Sequence, residues 1–337
     1  MTTKEQGHLM REKLKENPVI TAPMAGITDR AYREILQEMG AGICFCEMVS
    51  DKGLNYGDKK TNALLNIHGE DSWVGAQLCG SEPESMAKAA QIIEKMGRDS
   101  GNLAVIDINM GCPVKKVVSN GEGSRLMQTP EIAVEIIRQV RSAVSLPVTA
   151  KMRLGWDDGQ KNVLELASRL QEAGADAITI HGRTRQQFYS GKADWTLINE
   201  AKKNLDIPVI GNGDIFSAAD ALKRLQESKC DGIMLGRGMV GNPWLVRDVV
   251  RAVKKLPPLP APDIEERIAM AIRHLYRETE ICGEYTGVRS MRSHLPWYIK
   301  GQRGAAAMRN RINQLDRAEA IEELLLQYAA DIKNGAV

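Results

Sequence analysis

The sequence predicts an α/β fold: a closed (β/α)8 barrel, known as a TIM barrel, followed by a small all-α helical bundle. Short β-branched runs alternate with amphipathic helical stretches eight times over residues 18–254 of the 337-residue chain. Eight such units close a barrel of parallel strands. A segment with four prolines at 256–262 is incompatible with a helix and typical of a linker. We therefore predict a barrel at 1–254, a linker at 255–262 and a helical domain at 263–337.

Each predicted barrel strand is a short apolar run that ends at glycine, proline or polar residues. The strands are predicted at 18–26, 42–49, 73–78, 104–110, 147–153, 176–183, 208–214 and 231–238. Helices are predicted at 28–39, 83–96, 130–144, 162–173, 195–204, 217–228 and 243–254, with Thr129 as the cap of the third. A polar leader precedes the first strand, and an irregular polar stretch occupies 50–70. Beyond the linker, helical periodicity runs through 263–280, 291–299 and 317–333.

The composition is ordinary for a soluble protein, with 43% hydrophobic residues, 26% charged residues and a formal net charge of +2. The first 18 residues contain no apolar signal region, and no run approaches the ~20 apolar residues of a membrane span. We therefore expect a cytoplasmic protein that does not enter a membrane. The six cysteines show no metal-ligand spacing, so we expect reduced thiols and no metal site. Cys44 and Cys46 are interpreted as core residues.

Chemically distinctive residues stand where the predicted strands end. The carboxyl ends of barrel strands meet at one mouth, so these side chains are expected to line one site. They are Met24, Glu47, Gln77, Asn109 with Cys112, Lys151, His181, Asn212 with Asp214, and Arg237. Cys112 lies in a Gly-Cys-Pro turn after the fourth strand. Such a turn exposes its side chain more often than it buries it, which favours a chemical role over simple packing.

The last two predicted strands end in glycine-rich turns, Gly-Asn-Gly-Asp at 211–214 and Gly-Arg-Gly at 236–238. Backbone N–H groups in such turns, with the guanidinium of Arg237, favour a bound phosphate, although tight turns without a ligand are the alternative. Gln77, Lys151 and His181 would supply an amide, a cation and an imidazole to a flat heteroaromatic ring. Together with a phosphate site this set indicates flavin mononucleotide (FMN). Taken singly, Lys151 and His181 are equally compatible with structural roles.

Several familiar signatures are absent or incomplete. The segment 121–126 shares two glycines with a dinucleotide fingerprint, but it follows a loop and lacks the third glycine. The sequence contains no Walker-type G-K-[ST], no H-E-x-x-H and no G-x-S-x-G. ATP chemistry, catalytic zinc and a serine nucleophile therefore have no positive support.

The C-terminal region carries a local basic segment in a nearly neutral protein. No acidic residue lies between Glu284 and Asp316, while six basic residues and four aromatic or imidazole side chains do. They are Arg289, Arg292, Lys300, Arg303, Arg309 and Arg311, with Tyr285, His294, Trp297 and Tyr298. This pattern is typical of nucleic-acid binding, and a solvated helical face is the alternative.

Seven motifs in order resemble the tRNA-dihydrouridine synthase family, in particular its bacterial B-type branch. They are Pro-Met-Ala-Gly at 23–26, Gly-Ala-Gln-Leu at 75–78, Asp-Ile-Asn-Met-Gly-Cys-Pro at 107–113, Lys-Met-Arg at 151–153, His-Gly-Arg-Thr at 181–184, Gly-Asn-Gly-Asp at 211–214 and Gly-Arg-Gly at 236–238. The resemblance covers about 18–245 and is weak beyond. It implies an FMN oxidoreductase that reduces the C5–C6 double bond of particular tRNA uridines, with NADPH or NADH as electron donor.

The resemblance also implies roles for individual residues. Cofactor binding is carried over to Pro23, Met24, Ala25, Gln77, Lys151, His181, Asn212, Gly213, Asp214, Gly236 and Arg237. Cys112 would be the proton donor, because a thiol with an ordinary pKa near ~8.5 is protonated at neutral pH. We further hypothesise that Asn109, Arg153 and Arg183 grip the uracil and its phosphate. The tRNA itself is expected to bind at Arg289, Arg292, Arg303 and Arg309.

Two other functions fit parts of the sequence. A flavin barrel that acts on a free pyrimidine, as dihydroorotate and dihydropyrimidine dehydrogenases do, explains the barrel but not the basic segment. A non-catalytic RNA-binding or regulatory protein explains the basic segment but not Cys112 and Lys151. The sequence implies no protein partner.

Overall fold

The computed structural model describes residues 3–67 and 73–335, and within this part the predicted (β/α)8 barrel is confirmed. All strand pairings are parallel, and the sheet closes where the second barrel strand pairs with both the first and the third. That second strand is split into two short segments. The strands are β1 Val19–Thr21, β2 Ile43–Phe45, β3 Val49–Ser50, β4 Trp73–Cys79, β5 Leu103–Met110, β6 Val148–Arg153, β7 Ala177–His181, β8 Val209–Asn212 and β9 Gly232–Leu235.

Helices surround the barrel and follow it in the chain. Those up to the last barrel strand are α1 Thr3–Glu16, α2 Arg30–Glu38, α3 Asp51–Asn55, α4 Lys59–Leu65, α5 Pro83–Ser100, α6 Lys115–Ser119, α7 Pro130–Ala143, α8 Val163–Glu172, α9 Thr196–Asn204 and α10 Ala218–Ser228. The remainder are α11 Trp244–Val253, α12 Ile264–Cys282, α13 Glu284–Met291, α14 Leu295–Tyr298, α15 Ala305–Gln314 and α16 Ala318–Lys333. Two 3₁₀ helices lie at Gly123–Gln128 and Arg237–Met239. None of the helices in the described ranges is long and apolar enough to cross a membrane.

One local prediction is wrong, one is met only in part, and one helix was not predicted. The polar leader is helical: α1 places Met10 and Leu14 against apolar side chains of the barrel interior, including Ile20 and Ile210. The stretch predicted as irregular at 50–67 contains α3 and α4, because Ser50 and Asp58 cap two short helices; its last predicted residues, 68–70, lie outside the described ranges. Thr129 is the N-cap residue of α7 as predicted, with Pro130 next to it, but its side chain makes no cap hydrogen bond.

The C-terminal helices begin after a segment, 256–263, that has neither helix nor strand. Asp263 starts α12 with a capping box, in which its carboxylate accepts from the Glu266 backbone and the Glu266 side chain accepts from the Asp263 backbone. The helices pack on α2 through one continuous apolar cluster shared with the barrel. The domain boundaries at 254 and 263 stay a prediction.

A buried polar group joins the C-terminal helices to the barrel. Asp29, the N-cap of α2, lies 2.9 Å from Nε2 of His294 and 3.8 Å from Nε2 of His274, both of which are fully buried. The His274 ring stacks on Tyr32 with a centroid separation of 5.1 Å, and its Nδ1 lies 3.1 Å from the Tyr298 hydroxyl. The carboxylate of Asp29 and the ring nitrogens of His274 and His294 lie close enough together to bind a metal ion. The expected absence of a metal therefore stays a prediction. The helical region is thus seated on the loop that follows β1.

Candidate active site

A cavity of about 280 Å³ opens at the carboxyl ends of the barrel strands. Its wall contains all eleven residues predicted to hold a cofactor, from Pro23 to Arg237, together with Asn109, Cys112 and Arg153. The mouth therefore assembles most of the predicted set. Glu47 takes another position: its carboxylate accepts from the Gly26 backbone at 2.5 Å, and burial raises its pKa. It braces the loop after β1.

The Cys112 turn is held by Asn109. The Asn109 Oδ1 atom accepts from the backbone N–H of Cys112 at 2.9 Å and of Gly111 at 3.1 Å. Its Nδ2 donates to Oε1 of Gln77 at 2.7 Å. On the other side of the turn, Ser124 donates to the Cys112 carbonyl from its backbone (3.0 Å) and its hydroxyl (2.9 Å). Asn109 is therefore placed to orient the cysteine, and its contact with the uracil stays a prediction.

The chain of hydrogen bonds continues into the barrel core through Asp107, which the sequence reasoning missed. Asp107 is 1% exposed and accepts from Nε2 of Gln77 at 2.7 Å and from the Thr149 hydroxyl at 2.6 Å. Burial raises its pKa to about 6. Because Gln77 donates to Asp107 and accepts from Asn109, its amide has one consistent orientation. The signal was available, since a carboxylate inside an apolar barrel strand requires partners.

The Cys112 thiol lines the cavity and is half-buried. Burial raises its pKa above the ordinary value, with Arg153 and Lys151 opposing the shift. The thiol is therefore protonated at neutral pH, as a general acid requires.

The cavity wall carries several cations. Burial lowers the pKa of Lys151 to about 8, and the charge of Arg153 acts in the same direction. The pKa of His181 lies well below its usual value, again through burial first and then through Lys151 and Arg153. Lys151 donates to Oδ1 of Asn212 at 3.3 Å. This field favours an anionic ligand, and it keeps His181 neutral.

Asp214 organises the glycine-rich end of β8. It has a left-handed backbone with φ of 52°, and its carboxylate binds Arg183 in a bidentate pair at 2.8 Å. Arg237 donates to the same carboxylate at 3.1 Å. Arg183 is 1% exposed, also donates to the carbonyls of Ser190 and Gly191, and is not among the cavity-lining residues. The structure thus does not place Arg183 on the cavity wall, and its contacts hold the loop after β7 against Asp214. Its contact with substrate stays a prediction.

Arg153 lines the cavity, but its donors also serve the backbone. It donates to the carbonyls of Gly111 at 2.8 Å and of Thr184 and Phe188 at 2.9 Å. These bonds tie the loop after β7 to the Cys112 turn. A direct contact of Arg153 with substrate stays a prediction.

Three exposed aromatic residues, Phe188, Tyr189 and Phe216, lie on the cavity wall and were not predicted. The Arg237 guanidinium lies 4.4 Å from the Tyr189 ring centroid. Flat apolar faces beside cations suit an aromatic ligand that carries negative charge. They occur in loops without periodicity, so no sequence pattern identified them.

The four C-terminal arginines lie outside the cavity wall. Arg289, Arg303 and Arg309 are exposed, and Arg289 packs over the Tyr285 ring at 3.5 Å. Arg292 is half-buried and donates to the Leu315 carbonyl at 2.9 Å, so part of its role is structural. Ser293 donates to the Gly26 carbonyl at 3.1 Å, which places this region beside the loop after β1.

Comparison with known proteins points to one family. The model of the family described as Dihydrouridine synthase (Dus) matches residues 20–334. A probable tRNA-dihydrouridine synthase of Rickettsia bellii is 37% identical, and the alignment covers 94% of this chain and 96% of that protein. A tRNA-dihydrouridine synthase B of Pasteurella multocida is 38% identical over 89% of each chain. One from Pseudomonas aeruginosa is 36% identical over 94% of each.

Solved structures share the fold at lower identity. The old yellow enzyme homologue from Zymomonas mobilis has a TM-score of 0.51 and 16% identity, covering 75% of this chain and 92% of that one. A 2-naphthoyl-CoA reductase has a TM-score of 0.53 and 14% identity, covering 72% of this chain and 50% of that one. At this level of identity the likeness concerns the barrel architecture.

Proposed function

This chain belongs to the dihydrouridine synthase family, and on that premise we propose that it is an FMN-dependent oxidoreductase that reduces the C5–C6 double bond of specific uridines in tRNA. The observation that carries the proposal is the cavity, which combines the protonated thiol of Cys112 with a cationic, partly aromatic wall. Family membership supplies the substrate class. The cavity supplies residues suited to the chemistry.

The residues present fit a phosphorylated flavin. Lys151, Arg153 and Arg237 favour an anion, and Met24 with the aromatic side chains offers flat apolar surface. Gly213 and Gly236 lie on the cavity wall without a side chain, so their backbone can approach a ligand closely. At Gly213 a side chain is also excluded by the protein itself, because a Cβ atom would meet Ala193 at 2.7 Å. We propose the eleven cofactor residues from Pro23 to Arg237 as this binding set. When bound, the reduced flavin would supply a hydride to C6 of the uracil.

The contribution of the chain is then orientation and a proton. Cys112 delivers its thiol proton to C5 of the uracil, and burial keeps that thiol protonated beforehand. Asn109 and Ser124 fix the turn that carries it. Asp107 accepts a hydrogen bond from Gln77, which accepts one from Asn109, so both amides keep a fixed orientation. NADPH, with NADH as the alternative, is the proposed source of electrons.

The test combines cofactor, donor and substrate. The purified protein should be yellow, and NADPH should bleach its flavin absorbance faster than NADH does. The reduced protein should then form dihydrouridine in tRNA that lacks this modification. Free uridine and orotate serve as substrate controls. Reduction of a free pyrimidine without reduction of tRNA would contradict the proposal. An unchanged dihydrouridine content in the tRNA of cells that lack the gene would also contradict it.

A further inference from the structure

A second concave surface lies on the barrel rim, outside the cavity. We call it the far-rim pocket, and it is lined by Lys115, Val118, Ser119, Gly121, Arg125, Trp156 and Arg185. From its geometry we propose that it binds a nucleotide of the tRNA beside the target uridine, through a phosphate and a stacked base. The inference rests on the proposed function and adds a substrate site to it.

The pocket combines one aromatic ring with three cations. The guanidinium carbon of Arg185 lies 4.6 Å from the Trp156 ring centroid, and that of Arg125 lies 5.7 Å from it. Lys115 adds a third positive charge. Within the described ranges, none of these three cations forms an ion pair with a carboxylate, and Nε of Arg185 is buried without a hydrogen-bond partner. Arg125 donates to Oε1 of Gln128 at 2.8 Å, a neutral partner that leaves its charge uncompensated. Cations without a carboxylate partner beside an indole match a phosphate joined to a base.

The pocket is built by bonded loops rather than by mobile side chains alone. Trp156 accepts at its carbonyl from the Gln186 backbone at 2.9 Å, and its own N–H donates to the Gln160 carbonyl at 3.0 Å. The Arg185 N–H donates to the Gly155 carbonyl at 2.9 Å. Gly155 has φ of 155°, and a Cβ atom there would meet the Gln160 carbonyl oxygen at 2.0 Å. The backbone positions that carry the Trp156 ring and the Arg185 guanidinium are therefore fixed before any ligand binds.

Its position relative to the helical region favours RNA. Lys115 and Arg125 follow β5, Trp156 follows β6 and Arg185 follows β7, which are the fourth, fifth and sixth barrel strands. The C-terminal helices contact the opposite side: Ser293 bonds to Gly26 after the first strand, and Trp297 packs against Gly241 after the eighth. The cavity with Cys112 lies between. A polynucleotide spanning the mouth would be held at both sides, which helps to offset the cost of turning the uridine out of its stack.

The test compares Arg125→Gln/Arg185→Gln with a matched control, Arg138→Gln/Lys223→Gln, whose residues are exposed on α7 and α10. We expect the site variant to bind tRNA more weakly and to lower the slope of log affinity against log salt by roughly 0.7 to 0.9, the contribution of the one phosphate that the pocket is proposed to bind. The control should keep the wild-type slope. Trp156→Leu should weaken tRNA binding roughly 5- to 100-fold through lost stacking. Thermal melting of each variant checks folding.

Three outcomes overturn the inference. One is an unchanged tRNA affinity and salt slope in both Arg125→Gln/Arg185→Gln and Trp156→Leu. Another is a rise in the NADPH concentration needed for half-maximal flavin reduction with unaltered tRNA binding, which would assign the pocket to the dinucleotide. The third is equal weakening in the control. Failure of the proposed function itself shows separately, as absent uridine reduction by wild-type protein that still binds tRNA.

Discussion

Replacing Asn109 by alanine separates two roles for this side chain: a grip on the substrate uracil, which the sequence suggested, and a brace for the Cys112 turn. Asn109 accepts from the backbone of Gly111 and Cys112 and donates to Gln77. A brace predicts a slower reaction at saturating tRNA, because the thiol loses its orientation. A grip predicts weaker binding with the saturated rate less affected.

The magnitude follows from these three hydrogen bonds. Gln77 is buried, so its carbonyl loses a partner outright, whereas the half-buried N–H groups of Gly111 and Cys112 recover part of their bonding from water. The loss in unfolding free energy should be about 1–3 kcal/mol. Displacing a catalytic group by about 1 Å can slow a reaction ~100-fold. Because Asn109→Ala should loosen the Cys112 turn without removing it, we expect its reaction to be slower by roughly 10- to 100-fold.

The assay is a single turnover of pre-reduced protein at saturating tRNA, with alkylation of Cys112 followed by mass spectrometry. We expect a slower turnover and an altered alkylation rate. The matched control is Asn199→Ala, which removes two side-chain hydrogen bonds to the carbonyls of Glu227 and Ser228 on the outside of the barrel. It should lower stability without changing either readout. An Asn109→Ala variant with wild-type saturated rate and wild-type Cys112 alkylation would refute the brace.

The remaining predictions concern the acid, the basic segment and the helical junction. Cys112→Ala should slow single-turnover reduction of uridine by ~100-fold or more, while flavin content is retained; a wild-type rate would remove Cys112 as the acid. Replacing Arg289, Arg303 and Arg309 together by neutral residues should lower the slope of log tRNA affinity against log salt by about 2. Arg292→Gln should mainly lower the melting temperature, because its bond to the Leu315 carbonyl is lost. Burial lowers the pKa of His274 from 6.5 to about 4. Its contribution to the free energy of unfolding, about 3 kcal/mol at most, should therefore be complete above pH 6.5 and lost as the pH falls toward 4. Urea midpoints at pH 4.5 and 7.5 should differ less in His274→Gln; an identical difference would contradict this.

Much of the barrel and its mouth followed from local patterns. Apolar runs with β-branched residues located all eight strand positions. The side chains predicted at the strand ends, apart from Glu47, lie on one wall, and so do the further cofactor residues that the family resemblance implied. The parallel barrel makes this possible, because it converts chain order into angular order around a common mouth. Short helices were less predictable: α3 and α4 lie in a segment that looked irregular, since a short helix can depend on a cap and a few packed side chains.

The sequence by itself determined the architecture, the residue types at the mouth and the basic character of the C-terminal region, because these depend on periodicity and local composition. The tertiary structure decided which polar atoms at the mouth remain available to contact a ligand. Arg183 looked like a ligand for substrate, but Asp214 and two loop carbonyls take its donors. Asn109 was assigned a similar role, and the structure shows its amide bonded to the Cys112 backbone and to Gln77. Partner choice among side chains distant in sequence depends on geometry within a few tenths of an ångström, and residue order alone does not encode that distance.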